Sequence, residues 1–181
     1  MKKINIFERL CYMFLIYSIV GWFAELLLFL IEDKVLVNRG FLFGPWLPIY
    51  GFGGLIVFYL FNGLIDKKVH IKNINIRPVL LIVYISLMCC LVELLGTYLL
   101  ELFGYNFKEL WDYSKVPFNF EGRIALWPTI RFGILGTTFL YYFQPGVEKL
   151  LLNIKKHKGL AIIMNILIFL FLVDLTIKIL F

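Results

Sequence analysis

The chain has 181 residues, of which 61% are hydrophobic, 18% aromatic and 17% charged, and its formal net charge is +6. Soluble domains carry about 45–50% apolar and about 25% charged residues, so this composition excludes an ordinary water-soluble core and indicates a chain solvated by lipid. The positive charge does not point to nucleic acid, because the lysines and arginines cluster between apolar stretches, as the positive-inside rule describes.

One membrane crossing takes about 20 apolar residues. The first span is predicted over about 7–31, contains Gly21-Trp22 and Glu25, and ends at Glu32-Asp33-Lys34. Its apolar run is too long for a signal-peptide core, so it reads as a retained helix despite Lys2 and Lys3 before it. A short loop with Arg39 leads to a second span at about 46–65. Pro48 falls in the first turn of that span, where a missing amide costs little. Gly51, Gly53 and Gly54 give it a smooth face suited to close packing in lipid.

A basic connection from Asp66 to Arg77 precedes a third span at about 78–103, with Glu93 well inside it. The segment 104–121 holds Trp111-Asp112-Tyr113 and Pro117-Phe118-Asn119-Phe120 and is too polar to span. It is expected at the surface, with a short interfacial helix near 106–111. The fourth span is predicted over about 124–143, with Pro128 in its first turn and Arg131 just beyond. Gln144-Pro145-Gly146 is expected to break it. A basic amphipathic stretch, Glu148 to Lys158, leads to a fifth span at about 159–181, where Asp174 and Lys178 are spaced to neutralise each other along one face. The reading is an all-α transmembrane helix bundle of about five spans in a single domain.

Three regions hold the basic residues: Lys2, Lys3 and Arg9; Lys67, Lys68, Lys72 and Arg77; and Lys149, Lys155, Lys156 and Lys158. Five spans place all three on the cytoplasmic side, giving an N-in, C-out chain. The topology contains a parallel two-helix repeat. Ala24-Glu25-Leu26-Leu27 matches Val92-Glu93-Leu94-Leu95, and Arg39-Gly40 before Pro45-Trp46 matches Gly122-Arg123 before Trp127-Pro128. Ile49-Tyr50-Gly51 answers Ile130-Arg131-Phe132-Gly133, so the copies differ most where Tyr50 stands against Arg131.

A charge inside a span costs roughly 2.5–3.5 kcal/mol on insertion scales, so such groups should face the bundle interior and pair. Glu25, Arg39, Tyr50, Glu93, Asp112, Arg123 and Arg131 are the candidate binding residues, and they are expected in the outer half of the membrane. The arginines suit a phosphate or carboxylate held by two parallel hydrogen bonds, and the glutamates would orient them or carry protons. The competing reading makes Glu25–Arg39 and Glu93–Arg131 structural pairs that lock the bundle. Cys11, Cys89 and Cys90 read as small core or lipid-facing residues, and His70 and His157 as solvated. The sequence contains no phosphate-cradling glycine loop, nucleophilic serine motif or metal-ligand spacing, so no catalytic residue, metal or cofactor is assigned.

Gly21-Trp22-x-x-Glu25, Arg39-Gly40-Phe41-Leu42-x-Gly44-Pro45-x-x-Pro48-Ile49-Tyr50-Gly51, Trp111-Asp112-Tyr113-Ser114 and Asn119-x-x-Gly122-Arg123-Ile124 together resemble the bacterial ABC-transporter type IV permease family. The resemblance covers about residues 10 to 145. It implies a multi-pass protein of the bacterial cytoplasmic membrane, with membrane lipids and a separate ATPase subunit as partners. The stretch from Glu148 to Lys158 is placed either to meet that ATPase or to rest on anionic lipid. The functional expectation is a transport component that binds a small or lipidic anion from the outer side. Its alternatives are an intramembrane enzyme acting on lipid headgroups of the outer leaflet and a non-catalytic scaffold. Self-association stays open.

Overall fold

The computed structural model describes residues 5–32, 34, 42–65, 69–71, 74–109 and 111–180. Among the described residues, six α-helices run in chain order: α1 (Ile6–Glu32), α2 (Pro48–Ile65), α3 (Arg77–Leu102), α4 (Leu126–Thr138), α5 (Gln144–Lys156) and α6 (Lys158–Leu180). Four of them, α1, α2, α3 and α6, are long and apolar enough to cross a membrane. Helices dominate because lipid offers no partners for backbone amides, so each segment must satisfy its own. Two short antiparallel hairpins complete the described residues. One pairs β1 (His70–Ile71) with β2 (Ile74–Asn75), and the other pairs β3 (Asn119–Phe120) with β4 (Ile124–Ala125).

Sequence signals set several helix ends. Asn5 and Glu8 form a reciprocal capping box at the start of α1, with Glu8 N donating to Asn5 Oδ1 at 2.7 Å and Asn5 N to Glu8 Oε2 at 3.2 Å. Pro48 is the first residue of α2, and Pro78 lies in the first turn of α3. The expected break at Gln144-Pro145-Gly146 does not occur. Instead, a π-helical turn over Phe139–Phe143 joins α4 to α5. Pro145 cannot donate to the carbonyl of Tyr141 and its ring would crowd it, and a widened turn accommodates both facts without stopping the helix. The residues of the expected fourth span fold as α4 and this turn, and α4 is not among the helices long and apolar enough to cross a membrane. The expected interfacial helix near 106–111 is one 3₁₀ turn, Phe107–Glu109.

The chain divides into two compact units, one made of 1–58 with 144–181 and the other of 59–143. In the first, the core is Tyr12, Met13, Leu15 and Tyr17 of α1 with Val147, Leu151 and Ile154 of α5 and Met164 and Phe171 of α6. In the second, Leu81 and Ile85 of α3 are buried beside Gly133 and Thr137 of α4.

The pairs α1–α2 and α3–α4 make matching contacts at their glycines. A Cβ on Gly51 of α2 would fall on Ser18 Oγ and within 2.6 Å of the Phe14 ring, and one on Gly54 within 2.6 Å of the Tyr17 ring. A Cβ on Gly133 of α4 would fall on Ser86 Oγ and within 2.5 Å of the Ile82 carbonyl oxygen, and one on Gly136 within 2.7 Å of Ile85. Phe14, Tyr17 and Ser18 thus have the spacing and the partners of Ile82, Ile85 and Ser86. This seam also refines the alignment of the copies. Two residues before Gly51 stands Ile49, and two before Gly133 stands Arg131. Arg131 therefore corresponds to Ile49 rather than to Tyr50, and both are exposed.

The seam predicts opposite outcomes for two glycines. Gly133→Ala forces α4 off α3 and should lower stability by about 1–3 kcal/mol. Gly53→Ala meets nothing within 4 Å and should be neutral or stabilising by about 0.5–1 kcal/mol through helix propensity. Denaturation midpoints in a mild detergent check both.

Candidate functional site

In the first unit, Glu25 of α1 accepts a hydrogen bond from the Tyr50 hydroxyl of α2. The Tyr50 ring lies over Gly21, where any side chain would collide with it. The glycine four residues before the glutamate therefore admits the phenol that holds the carboxylate.

Asp174 of α6 does more than offset Lys178. It accepts from the backbone amides of Phe43 (3.2 Å) and Gly44 (2.7 Å) and from the Trp46 indole Nε1 (2.7 Å). The residue is 9% exposed, and a buried carboxylate is stabilised by N–H donors that meet its lone pairs. Lys178 Nζ sits 5.0 Å from the centre of the Phe43 ring. The segment entering α2 is thus clamped to α6. Elsewhere in this unit, Tyr17 donates to Gln144 (2.5 Å), Gln144 donates to Glu148 (2.9 Å), and Arg9 pairs with Glu148 (2.5 Å).

In the second unit, the segment after α3 folds back through the β3–β4 hairpin. The turn places Glu121 at φ 54° and Gly122 at φ 71°, closed by Arg123 N donating to Phe120 O at 2.9 Å. Two adjacent residues with positive φ fit a tight hairpin turn, and glycine tolerates that conformation best. A Cβ on Gly122 would also lie 2.9 Å from Asp112 Oδ1. Asp112 is exposed and accepts from Ser114 N (2.9 Å) and Ser114 Oγ (2.5 Å). These bonds, with help from Lys108 and Lys115, hold its carboxyl below the usual range.

Arg123 is 9% exposed. Its Nη2 donates to both oxygens of Glu101 (2.9 and 2.8 Å) and its Nε to Glu121 (3.1 Å). Its guanidinium lies 4.4 Å from the Tyr98 ring centre and 4.6 Å from that of Phe107. The hydrogen bonds to Glu101 raise its pKa above the ordinary arginine value. Two carboxylates and two rings surround this cation, while its Nη1 is buried with no hydrogen-bond partner among the described residues. Glu93 of α3 accepts from the Tyr113 hydroxyl at 3.1 Å, while its Oε2 is buried with no partner among the described residues. Arg131 lies exposed on α4, with no ion pair or hydrogen bond among the described residues. The Glu93–Arg131 lock is accordingly not made.

The structure joins Glu25 to Tyr50 in one unit. In the other it gathers Glu93, Asp112 and Arg123 around a single folded segment, with Arg131 beyond it on α4. Arg39 lies outside the described residues. Sequence reasoning missed Glu101, Tyr98, Phe107 and Asp174 as partners. Glu101 and Tyr98 sit one helical turn apart on α3, an acid–aromatic spacing that suits one cation, and this was the available signal.

Two outcomes follow. Arg123→Lys keeps the charge but loses the planar stack and the reach to both carboxylates; it should lower the thermal midpoint and loosen the hairpin, seen as faster amide exchange at residues 119–125. For Asp112, a depressed folded-state pKa means that its stabilising effect is present above the unfolded pKa and is lost as pH falls through the folded one. Acidification below the usual aspartate range should therefore shift the Ser114 amide resonance, and Asp112→Asn, which retains an acceptor without the charge, should abolish that titration.

No curated protein and no solved structure matches the chain. A family model does, over residues 12–179, and its description is "Putative ABC-transporter type IV". That match spans nearly the whole chain, from the buried face of α1 to the end of α6. With four helices long and apolar enough to cross a bilayer, the protein is a membrane protein, and it belongs to this transporter family.

Proposed function

We propose that the chain is the membrane-embedded part of a transporter that takes a small or lipidic anion from the outer side, with Arg131 as the principal contact. The observation that carries this reading is the contrast between two arginines. Arg123 is enclosed by Glu101, Glu121 and two rings, whereas Arg131 is exposed six residues into α4 and makes no ion pair among the described residues. A cation on a helix packed in a membrane protein carries a desolvation cost that an anionic partner offsets. Within the same unit, Asp112 and Arg123 hold the segment that leads into α4. Glu25 with Tyr50 and Glu93 with Tyr113 are carboxylate–phenol pairs suited to orient cations or carry protons. The chain has no nucleotide-cradling loop, so a separate ATPase subunit would supply the energy.

The test is calorimetric binding to the purified protein in neutral detergent, with inorganic phosphate and dioctanoyl phosphatidylglycerol as probes. Arg131→Ala should weaken at least one probe by tenfold or more, about 1.4 kcal/mol, with an unchanged thermal midpoint. If Arg131→Ala fails to fold, or binds both probes as tightly as the parent, the reading is wrong.

A further inference from the structure

A second feature lies in the unit 59–143, at residues to which the proposed function gives no part. An open groove of about 270 Å³ is lined by Arg77, Pro78, Thr137, Thr138, Tyr141 and Tyr142. An adjoining cleft of about 150 Å³ is lined by Leu64, Val69, Leu80, Leu81 and Tyr84 and shares Arg77 with it. One space is rich in hydroxyls and the other is apolar, and a guanidinium stands between them.

Thr137 lines this groove, and its hydroxyl lacks the usual helical partner. Helical threonines commonly return their hydroxyl to a carbonyl one turn back. Thr138 does so with Ile134 (2.8 Å), Thr176 with Leu172 (2.7 Å) and Thr97 with Leu94 (2.7 Å). Thr137 does not. It is 6% exposed and its Oγ1 has no partner among the described residues. A buried hydroxyl left unpaired costs about 1–3 kcal/mol, which a ligand oxygen would recover.

The surroundings favour an anion. The groove sits at the N-terminal end of α3, a 26-residue helix, where the helix dipole is positive. Arg77 is held in place by Tyr141, whose hydroxyl accepts from Nε at 2.8 Å and whose ring centre lies 5.6 Å from the guanidinium carbon, and by the Ile65 carbonyl. Tyr142 is 82% exposed. Arginine and tyrosines at the end of an apolar helix sit at headgroup level in a bilayer.

We propose that this end of the unit binds the phosphate of a membrane phospholipid, with Arg77, Thr137 and Tyr141 at the headgroup and an acyl chain along Leu64, Leu80 and Tyr84. The π turn that follows Thr138 carries Tyr141 and Tyr142 to the rim, which fits the frequent use of such turns at functional sites.

The test uses the full chain in neutral detergent and calorimetry with three probes: dioctanoyl phosphatidylglycerol, dioctanoylglycerol without a phosphate, and soluble glycerol 1-phosphate. Thr137→Val should weaken the phospholipid about tenfold, and Tyr141→Phe should weaken it in the same direction. In the absence of lipid, Thr137→Val should hold or raise the thermal midpoint, because it removes an unpaired hydroxyl; a drop would mark a structural threonine and overturn the proposal. Dioctanoylglycerol binding as tightly as the phospholipid would overturn the headgroup assignment. Glycerol 1-phosphate binding as tightly would overturn the lipid source. Loss on Arg131→Ala with none on Thr137→Val would place the lipid elsewhere and also overturn it.

Discussion

The close approach of two helices at a glycine is the contact on which both halves of this protein depend. In lipid, helices gain nothing from hiding apolar surface from water, so association relies on close van der Waals packing, for which the backbones must come near each other. Gly51 and Gly133 supply that approach, and Ser18 and Ser86 fill the space a side chain would have taken. The serine hydroxyls are buried without a partner among the described residues, which indicates that packing rather than hydrogen bonding holds the seam.

Once the pairs are fixed, the intervening chain is tied down by charge. Asp174 gathers two amides and an indole from the segment before α2. Arg123 is gathered in turn by Glu101, Glu121 and two aromatic rings. One loop is fixed by an anion on a helix that takes loop donors, the other by a loop cation that finds acids. Both solutions place a charge where low dielectric strengthens every hydrogen bond it makes.

The spans were legible because hydropathy and length suffice to define a helix in lipid, and because Pro48 and Pro78 mark their starts. The likeness of the stretches around Glu25 and Glu93 was legible, although the register between them became clear only when Gly51 and Gly133 were seen against equivalent partners. What short-range patterns could not convey was partner choice. Arg123 has candidate acids at several separations, and only the folded hairpin selects Glu101 and Glu121. Asp174 and Lys178 satisfy the helical pairing rule, yet the rule is silent about amides some 130 residues away that compete for the same carboxylate. Pro145 reads as a stop, and a local pattern cannot foresee that a wider turn absorbs it.

The register of the seam has a consequence for how such a chain diversifies. Two helix pairs with the same glycine packing can differ in chemistry at a position that packing does not constrain. Ile49 is 64% exposed and apolar, a residue at ease against hydrocarbon, and the equivalent site in the second copy is Arg131. Isoleucine at one position and arginine at its equivalent, with glycine and serine the same in both, make one exposed face apolar and the other charged. The asymmetry of the two halves then resides less in their architecture than in one side chain that the architecture leaves at liberty to change.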